Sequence, residues 1–413
     1  MMVGMHTELT SYDRERDLDA VVRIWREIGW IEPSPEHAAT LAVFLDAGDV
    51  VVGLMDGSAE CAVHRSPGSI RYLSDDLRAC AITGVTTSRV GRLQGFASKL
   101  TTRALAEGAA EGAEVAVLGM FEQGFYDRLG FGSGPYEHRL QFDPASLLAD
   151  LPSRPPCRLT AADHADVHRA LEHRLRGHGA LVLDPPGITR AELEWTEKPF
   201  GLGYRDDNGE LTHFVYGTAN GENGPYRVNV IAYRSTDQLL ELLGLLRSLG
   251  DQVASVKMIE PAEIQLQDLL RHPIRASFEG RGSVHAASHD AIAWWQLRIL
   301  DLGACVARTE PLGPATRFNL RLTDPVATAA ADEWEGIGGD YTVTMGIGAG
   351  VTHGHDPSLD TLAAPVNAFS RLLFGVRPAT SLALTTDLAG PPSLLAELDA
   401  VLRLPTPHPG IDF

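Results

Sequence analysis

The stretch Ile82–Leu100, ITGVTTSRVGRLQGFASKL, limits what this chain can fold into more than any other. It reads as a β-branched strand, a polar loop, a small-residue turn and then a helix. The turn is Arg92-Leu93-Gln94-Gly95-Phe96-Ala97. A helix N-terminus presents unpaired backbone N–H groups and the positive end of its dipole, which suits a phosphate. Gly95 lets the backbone come close without a Cβ, and Arg92 adds a guanidinium for charge-assisted hydrogen bonds. Strand, glycine turn and helix in this order predict an α/β unit.

The segments that follow extend the pattern. Phe96–Ala110 carries Phe96, Leu100, Ala104 and Leu105 as a helical stripe, and Glu114–Gly119 is a short apolar run expected as a buried parallel strand. Next comes Gln123-Gly-Phe-Tyr126-Asp-Arg-Leu-Gly130-Phe131, a short helix that Gly130 can end in a left-handed conformation. The Arg92–Ala97 loop resembles the acyl-CoA pyrophosphate loop of the GNAT superfamily of N-acetyltransferases. The Tyr126–Phe131 segment is similar to the tyrosine-bearing element after the fifth strand of that fold. The resemblance implies acetyl-CoA as co-substrate, held by Val85, Thr86, Thr87, Arg92, Leu93, Gln94, Gly95, Phe96, Ala97, Ser98, Phe121 and Glu122.

Composition narrows the class. A length of 413 residues predicts two or three domains, and 44% hydrophobic with 22% charged residues is ordinary for a globular protein. The net charge of −19 argues against a general nucleic-acid binder and mildly favours cationic substrates. Cys61, Cys80, Cys157 and Cys305 are far apart and without a CxxC, so they read as thiols in a reducing, cytoplasmic compartment rather than a disulfide framework or zinc site. The first residues show no apolar signal segment, and no segment reads as a membrane span.

Along the chain the pattern changes twice. The first third alternates a helix at Leu18–Trp30 with strands at Val50–Leu54, Glu60–His64, Ile70–Leu73 and Ala79–Thr87, and Asp143–Pro156 is dense in Pro and Asp. A second α/β block has strands at Leu202–Tyr204, Phe214–Thr218, Tyr226–Tyr233 and Val253–Ile259. Its helix opens on a Ser235-x-x-Gln238 capping box. Asp237 stands at that helix start where a phosphate would need a cation, so the block reads as an acetyltransferase-like fold without a CoA site. The last block is expected to be α+β, with strands at Trp295 and Tyr341–Ile347 and helices at Ser358–Leu373 and Pro392–Leu402. The fold class is therefore α/β and α+β: an active domain over 1–150, a degenerate one over 151–288, and a third over 289–413.

Three blocks in this order resemble the enhanced intracellular survival (Eis) family of acetyltransferases, in which two tandem GNAT folds precede a sterol-carrier-protein-like domain. The resemblance rests on the Arg92–Ala97 loop, Gly124-Phe-Tyr126, the Trp295–Asp301 segment and the aromatic Phe413. It implies a homohexamer that acetylates amines such as aminoglycosides, polyamines or lysine side chains. It also implies Tyr126 as general acid and the Phe413 carboxylate as general base. The chemistry is coherent: a phenol with a pKa near ~10 can give a proton to the departing thiolate, and an ionised carboxylate can accept one from the amine. Glu27 and Asp412 are candidates for an acidic amine pocket.

Three departures bear on this. Only Arg89 and Arg92 remain as cations in the loop, Phe121 stands where small residues are common, and Arg26 adjoins Glu27. They leave open a second reading, a protein that binds an apolar ligand or CoA and keeps a vestigial acetyltransferase site. A third reading is transfer of a longer acyl group. His164 with His168, and His353 with His355, have spacings that a metal could use but lack partners, so no metal is expected.

Overall fold

A computed structural model of the protein describes residues 6–148, 154–271, 282–326 and 334–412, and these described residues form three β-sheets. The first contains β1 (Thr7–Ser11), β2 (Asp49–Met55), β3 (Ser58–Tyr72), β4 (Asp75–Thr87), β5 (Val115–Gly119) and β6 (Gly132–Ser133). Its neighbours run in chain order except that β15 (Trp295–Ile299) lies between β5 and β6. A short β9 (Leu181–Leu183) pairs with the second half of β3. The second sheet contains β7 (Glu137–Phe142), β8 (Cys157–Arg158), β10 (Pro199–Arg205), β11 (Leu211–Ala219), β12 (Tyr226–Ala232), β13 (Val256–Ile259) and β14 (Ser288–Ile292), ordered β14-β7-β13-β12-β11-β10-β8. The third contains β16 (Thr316–Thr323), β17 (Gly339–Met345), β18 (Gly350–His353) and β19 (Thr361–Pro365), ordered β18-β17-β16-β19.

The first two sheets repeat one plan. In the first, the parallel pair β4 and β5 is joined by helix α3 (Phe96–Ala110). In the second, the parallel pair β12 and β13 is joined by α6 (Thr236–Ser248). Each sheet is then completed by a strand from the other's stretch of chain. Strand β7 follows β6 in sequence but pairs with β13, and β15 follows β14 but pairs with β5. The Trp295 strand, which the sequence groups with the last block, therefore belongs to the first sheet. The two crossovers are bonded where they pass: Trp294 Nε1–H donates to Glu137, and Met120 N–H donates to the Trp294 carbonyl at 2.7 Å.

Period-two alternation sorts the faces of the first sheet. Val51, Cys61, Val63, Cys80, Ile82, Ala116 and Leu118 pack with Phe96, Leu100 and Leu105 of α3. Val50, Val52, Ala62, Ala81, Val115 and Val117 face the other way. There they meet α1 (Arg14–Glu27), α2 (Pro35–Asp46) and α5 (Pro186–Trp195), which follows the short α4 (His164–Glu172). The same core continues into the third sheet through Phe318, Leu320 and Val343. The helices there are α7 (Leu302–Ala307), α8 (Val366–Leu373), α9 (Ala379–Thr385) and α10 (Pro392–Val401). Ser370 Oγ accepts from Ile299 N–H at 3.0 Å and Tyr72 O–H donates to the Leu373 carbonyl at 2.9 Å, which seats α8 on the first sheet. Among the described residues no helix is long and apolar enough to cross a membrane.

Several elements differ from the sequence expectation. Strand β1 and helix α2 have no counterpart in it. The two strands expected on either side of Pro67 are one, because β4 pairs along the whole length. Pro67 falls where the other edge changes partner from β2 to β9, so its missing N–H disrupts neither. The helix expected over Ser358–Leu373 begins only at Val366: Pro365 caps it, and residues 361–365 pair in parallel with β16. At α6, Ser235 accepts from Gln238 N–H as a cap, but the Gln238 side chain reaches Arg234 N–H rather than closing the box on Ser235.

One buried ion pair joins the units. The Arg298 guanidinium on β15 donates to the Leu129 carbonyl and to Asp324 just after β16, and neither side chain is exposed. Asp324 also accepts from Val326 N–H at 3.1 Å and Ile337 N–H at 2.9 Å. Gly130 carries no Cβ where one would meet Arg298 Nη1, and its φ of +82° ends the Tyr126 turn. Arg298→Met should strand the Asp324 carboxylate and cost about 3–5 kcal/mol. Arg298→Met with Asp324→Asn should recover part of that loss, as read by denaturant unfolding. A single variant as stable as the parent would show that the pair does not hold these units together.

Candidate active site

Strands β4 and β5 pair only from Ala79–Val115 to Ile82–Leu118. Beyond Ile82, β4 runs on to Thr87 with β3 on one side and without β5 on the other. Between the pairs His64–Thr83 and Ala62–Thr86, two steps of β3 match three of β4, so β4 bulges at Gly84, whose φ is +58°. The result is a cleft in which backbone polar groups of β4 lack a sheet partner and can bond an extended ligand. Val85 and Thr87 are half-buried and Thr86 is buried. Thr87 Oγ1 lies 3.2 Å from Cys61 Sγ.

The loop from Ser88 to Gly95 leaves β4 and enters α3. Leu93 and Gly95 both take positive φ, +64° and +77°, and Gly95 is the N-cap of α3 without a side-chain cap. Two left-handed residues this close turn the backbone sharply into the N-terminus of α3, whose open N–H groups suit an anion. A Cβ on Gly95 would have room, so its glycine answers the backbone conformation and not crowding. Arg92, Leu93 and Gln94 are exposed, Phe96 is buried, and Ala97 and Ser98 are half-buried. Ser88 fixes the base of the loop by accepting from Gly91 N–H at 2.9 Å. Glu27 ties it to α1: its carboxylate accepts from Arg89 N–H at 3.1 Å and from Arg23 at 3.1 Å. These bonds hold the Glu27 carboxyl below the ordinary range.

Tyr126 opens a short 3-10 turn, Tyr126–Leu129, and is buried with its ring edge-on to Phe121, Phe125 and Phe131. Burial, with Cys61 nearby, pushes its phenol above the usual range, so it keeps its proton. Phe121 is 71% exposed and stands at the rim rather than inside the channel. Glu122 is exposed beside it.

Tyr126, Phe121, Val85 and Asp412 line one cavity of about 430 Å³ at the open end of the β4–β5 cleft. Glu27, the loop Arg92–Ser98, Thr86, Thr87 and Glu122 do not line it. Its walls are aromatic: Trp25, Trp30, Phe44, Trp195 and Trp294. Trp25 packs on Trp30, Phe44 and Trp195 at centroid distances of 5.1, 5.6 and 5.5 Å. The adjacent Trp294 and Trp295 divide: the first faces the cavity, the second is fully buried in the core. Sequence reasoning had no signal for Glu192, which shares a face of α5 with Trp195 and lines both this cavity and a second one of about 230 Å³. Glu192 is exposed, and the surface it shows lines these two cavities. Desolvation by the protein crowded around it, reinforced by Asp412, pushes its carboxyl up to about 7.

Asp412 arrives on a tail with prolines at 405, 407 and 409. The Pro409 carbonyl accepts from Leu181 N–H at 2.9 Å and from buried Arg174 at 3.0 Å, and His408 N–H donates to the His178 carbonyl at 2.9 Å. His408 Nε2 lies 3.6 Å from Glu137. Burial pushes that histidine down to about 4 and that carboxyl up to about 7, so between those values both are neutral and their contact is not an ion pair. Phe413 lies outside the described residues.

Three of the histidines singled out by spacing have other partners. His168 bonds Thr189 at 2.8 Å and the Asp184 carbonyl at 3.1 Å, and His164 bonds the Ala161 carbonyl. His353 packs on Tyr341.

The cleft between splayed parallel strands, the left-handed turn into the following helix and the buried tyrosine all lie in or beside the stretch that carries a GNAT acetyltransferase domain, the mark of an acyltransferase. Residues 11–134 match the family model described as an acetyltransferase (GNAT) domain. Such domains use acetyl-CoA as co-substrate and act on small-molecule or peptide amines. The whole chain is similar to solved structures of acetyltransferases. A GCN5-related N-acetyltransferase from Kribbella flavida is 21% identical with a TM-score of 0.76, covering 100% of both chains. A conserved protein of unknown function from Enterococcus faecalis V583, described as a probable N-acyltransferase, is 16% identical with a TM-score of 0.79, over 99% of this chain and 100% of the other. Eis1 from Mycobacterium abscessus is 17% identical with a TM-score of 0.75, over 99% and 100%. At these identities the likeness is one of fold. No curated protein matches the sequence.

The Glu192 carboxyl sets a pH dependence. Its folded value of about 7 lies above the ordinary 4.5, so between the two the folded chain keeps a proton that the unfolded chain has released. Stability from this group is present below the lower value and falls as pH rises through the higher one. Glu192→Gln should therefore gain thermal stability relative to the parent as pH is raised across that interval. Melting curves at its two ends check this, and a gap that does not widen would show an ordinary, water-like carboxyl.

Proposed function

We propose that this protein is an acetyl-CoA-dependent N-acetyltransferase of the Eis type, which moves acetyl directly to a primary amine. The observation that carries this reading is the meeting of Tyr126 and Asp412 in one aromatic-walled cavity at the open end of the β4–β5 cleft. The pyrophosphate would sit at the Leu93–Gly95 turn and the N-terminus of α3 beside Arg92, and the thioester along Val85–Thr87. The amine nitrogen attacks the thioester carbon, the C–S bond breaks, and Tyr126 supplies the proton to the leaving thiolate. The amine proton would go to the Phe413 carboxylate, the base that the family resemblance implies. Both carboxylates, Asp412 and Glu192, and the indole faces favour an acceptor that is cationic in solution, such as an aminoglycoside-like amine, a polyamine or a lysine side chain. The third unit is read as sterol-carrier-protein-like, on the sequence resemblance.

Tyr126→Phe removes one oxygen, so folding and CoA binding should survive while acetyl transfer to an amine panel falls about 10²–10⁴-fold. A short extension after Phe413 moves its carboxylate and should abolish transfer with CoA affinity unchanged. Near-parental turnover of the tyrosine variant would remove Tyr126 as the acid, and full activity of the extended chain would remove Phe413 as the base. A parent that binds CoA but acetylates no amine would favour the vestigial, ligand-binding reading.

A further inference from the structure

We propose that His138, His289 and Glu260 form a binding site for one divalent transition-metal ion of the zinc class, outside the lining of the Tyr126 cavity. Three adjacent strands supply one ligand each. Strand β7 carries His138, the edge strand β14 carries His289, and Glu260 directly follows β13. Glu260 N–H donates to the His138 carbonyl at 2.9 Å, which continues the β13–β7 ladder by one pair. His138 pairs with Ala291, so His289, two residues along, lies on the same face. Neighbouring strands are roughly 4.8 Å apart, and diagonal same-face side chains are within reach.

The ligand atoms converge. One donor atom from each of the three residues lies within 4.8 Å of the others, and His138 Nδ1 is 2.9 Å from His289 Nε2. Zinc bonds of about 2.0–2.2 Å place tetrahedral ligand atoms roughly 3.3 Å apart, so small ring shifts would complete the geometry. Glu260 is already oriented: one of its oxygens accepts from Leu266 N–H at 2.9 Å, and the other remains for the ion. His138 and His289 are exposed, which provides a path of entry and leaves a fourth position for water.

The site's place in the fold gives it a consequence. Strand β14 is an edge strand with four of its five residues exposed, held by its ladder to β7, by an exposed Lys257–Asp290 pair and by the His138–His289 contact. It leads within two residues to Trp294, which walls the acceptor cavity, and to β15, which completes the first sheet. An ion bound by β13, β7 and β14 would pin this edge and stabilise the crossover.

The test uses the full chain, stripped with EDTA, desalted and titrated with Zn²⁺ by calorimetry and against a chromophoric chelator. The parent should bind one ion per chain at this site. His289→Ala and Glu260→Gln should each lose at least about tenfold in affinity, while His355→Ala should match the parent. Glu260→Gln keeps an oxygen for Leu266 N–H, so it stays informative if His289→Ala fails to fold, as checked by circular dichroism. Zn²⁺ should raise the melting temperature of the parent and not of these two variants, and Co²⁺ should show a visible d–d band that they lack. Equal Zn²⁺ affinity in the parent, Glu260→Gln and the folded His138→Ala/His289→Ala double variant would overturn the site.

Discussion

The exchange of β7 and β15 between the first two sheets is the constraint on which the remaining geometry depends. A parallel pair such as β4–β5 or β12–β13 ends in an edge with open N–H and C=O groups. Each edge is closed antiparallel by the other unit's strand. Once β15 lies beside β5, Arg298 can reach Leu129 at the end of the Tyr126 turn and Asp324 in the third unit. The same placement puts Trp294 in the cavity wall and its indole on Glu137 of the reciprocal crossover. The tyrosine turn, the cavity wall and the docking of the third unit thus follow from one strand exchange.

The second unit has the splay of the first but a different occupant. Strands β12 and β13 pair only from Tyr226–Val256 to Val228–Met258, after which β12 runs on to Ala232. The space beyond is bordered by Asn229, Ile231, Tyr233 and Glu260 and by His408, Gly410, Ile411 and Asp412 of the tail. The helix that follows carries Asp237 in its first turn, which disfavours a phosphate there. The counterpart of the cleft proposed for the cofactor in one unit serves in the other as a bed for the tail. Gly179 belongs to that bed, since a Cβ on it would meet Pro407 and the His408 backbone. Prolines at 405, 407 and 409 lower the entropy lost when such a tail is ordered.

What the sequence made legible was local. Helix α3, strand β5 and the Tyr126–Gly130 turn lie where periodicity and glycine chemistry put them, because each is decided within a dozen residues. The partners were not legible. Nothing within Trp295–Ile299 says that it pairs with Val115–Gly119 across almost two hundred residues, and nothing within Glu137–Phe142 says that it leaves the first sheet. The cavity wall was hidden for the same reason: Trp25, Phe44, Trp195 and Trp294 come from three helices and a crossover. Trp294 and Trp295, adjacent in sequence, part at the start of β15, one to the cavity wall and one to the core. Glu27 had the right charge for an amine pocket, but Arg23 and the Arg89 backbone take it into the loop.

The electrostatics of the cavity place two opposed demands on an amine acceptor. Carboxylates attract the ammonium form, yet that attraction also stabilises the proton that must leave before nitrogen can attack. A wall made only of acids would bind well and react poorly. Here the acidic groups are few, Glu192 and Asp412, while the rest of the wall is indole and phenyl. Aromatic faces hold a cation through their quadrupole, and they also strip its water, which lowers the pKa of an ammonium. Glu192, with its carboxyl raised to about 7, is only partly charged at neutral pH and so holds the proton less firmly than a fully ionised acid would. For an amine acceptor bound as proposed, such a wall would collect the cation and weaken its hold on the proton at the point where the thioester would be met.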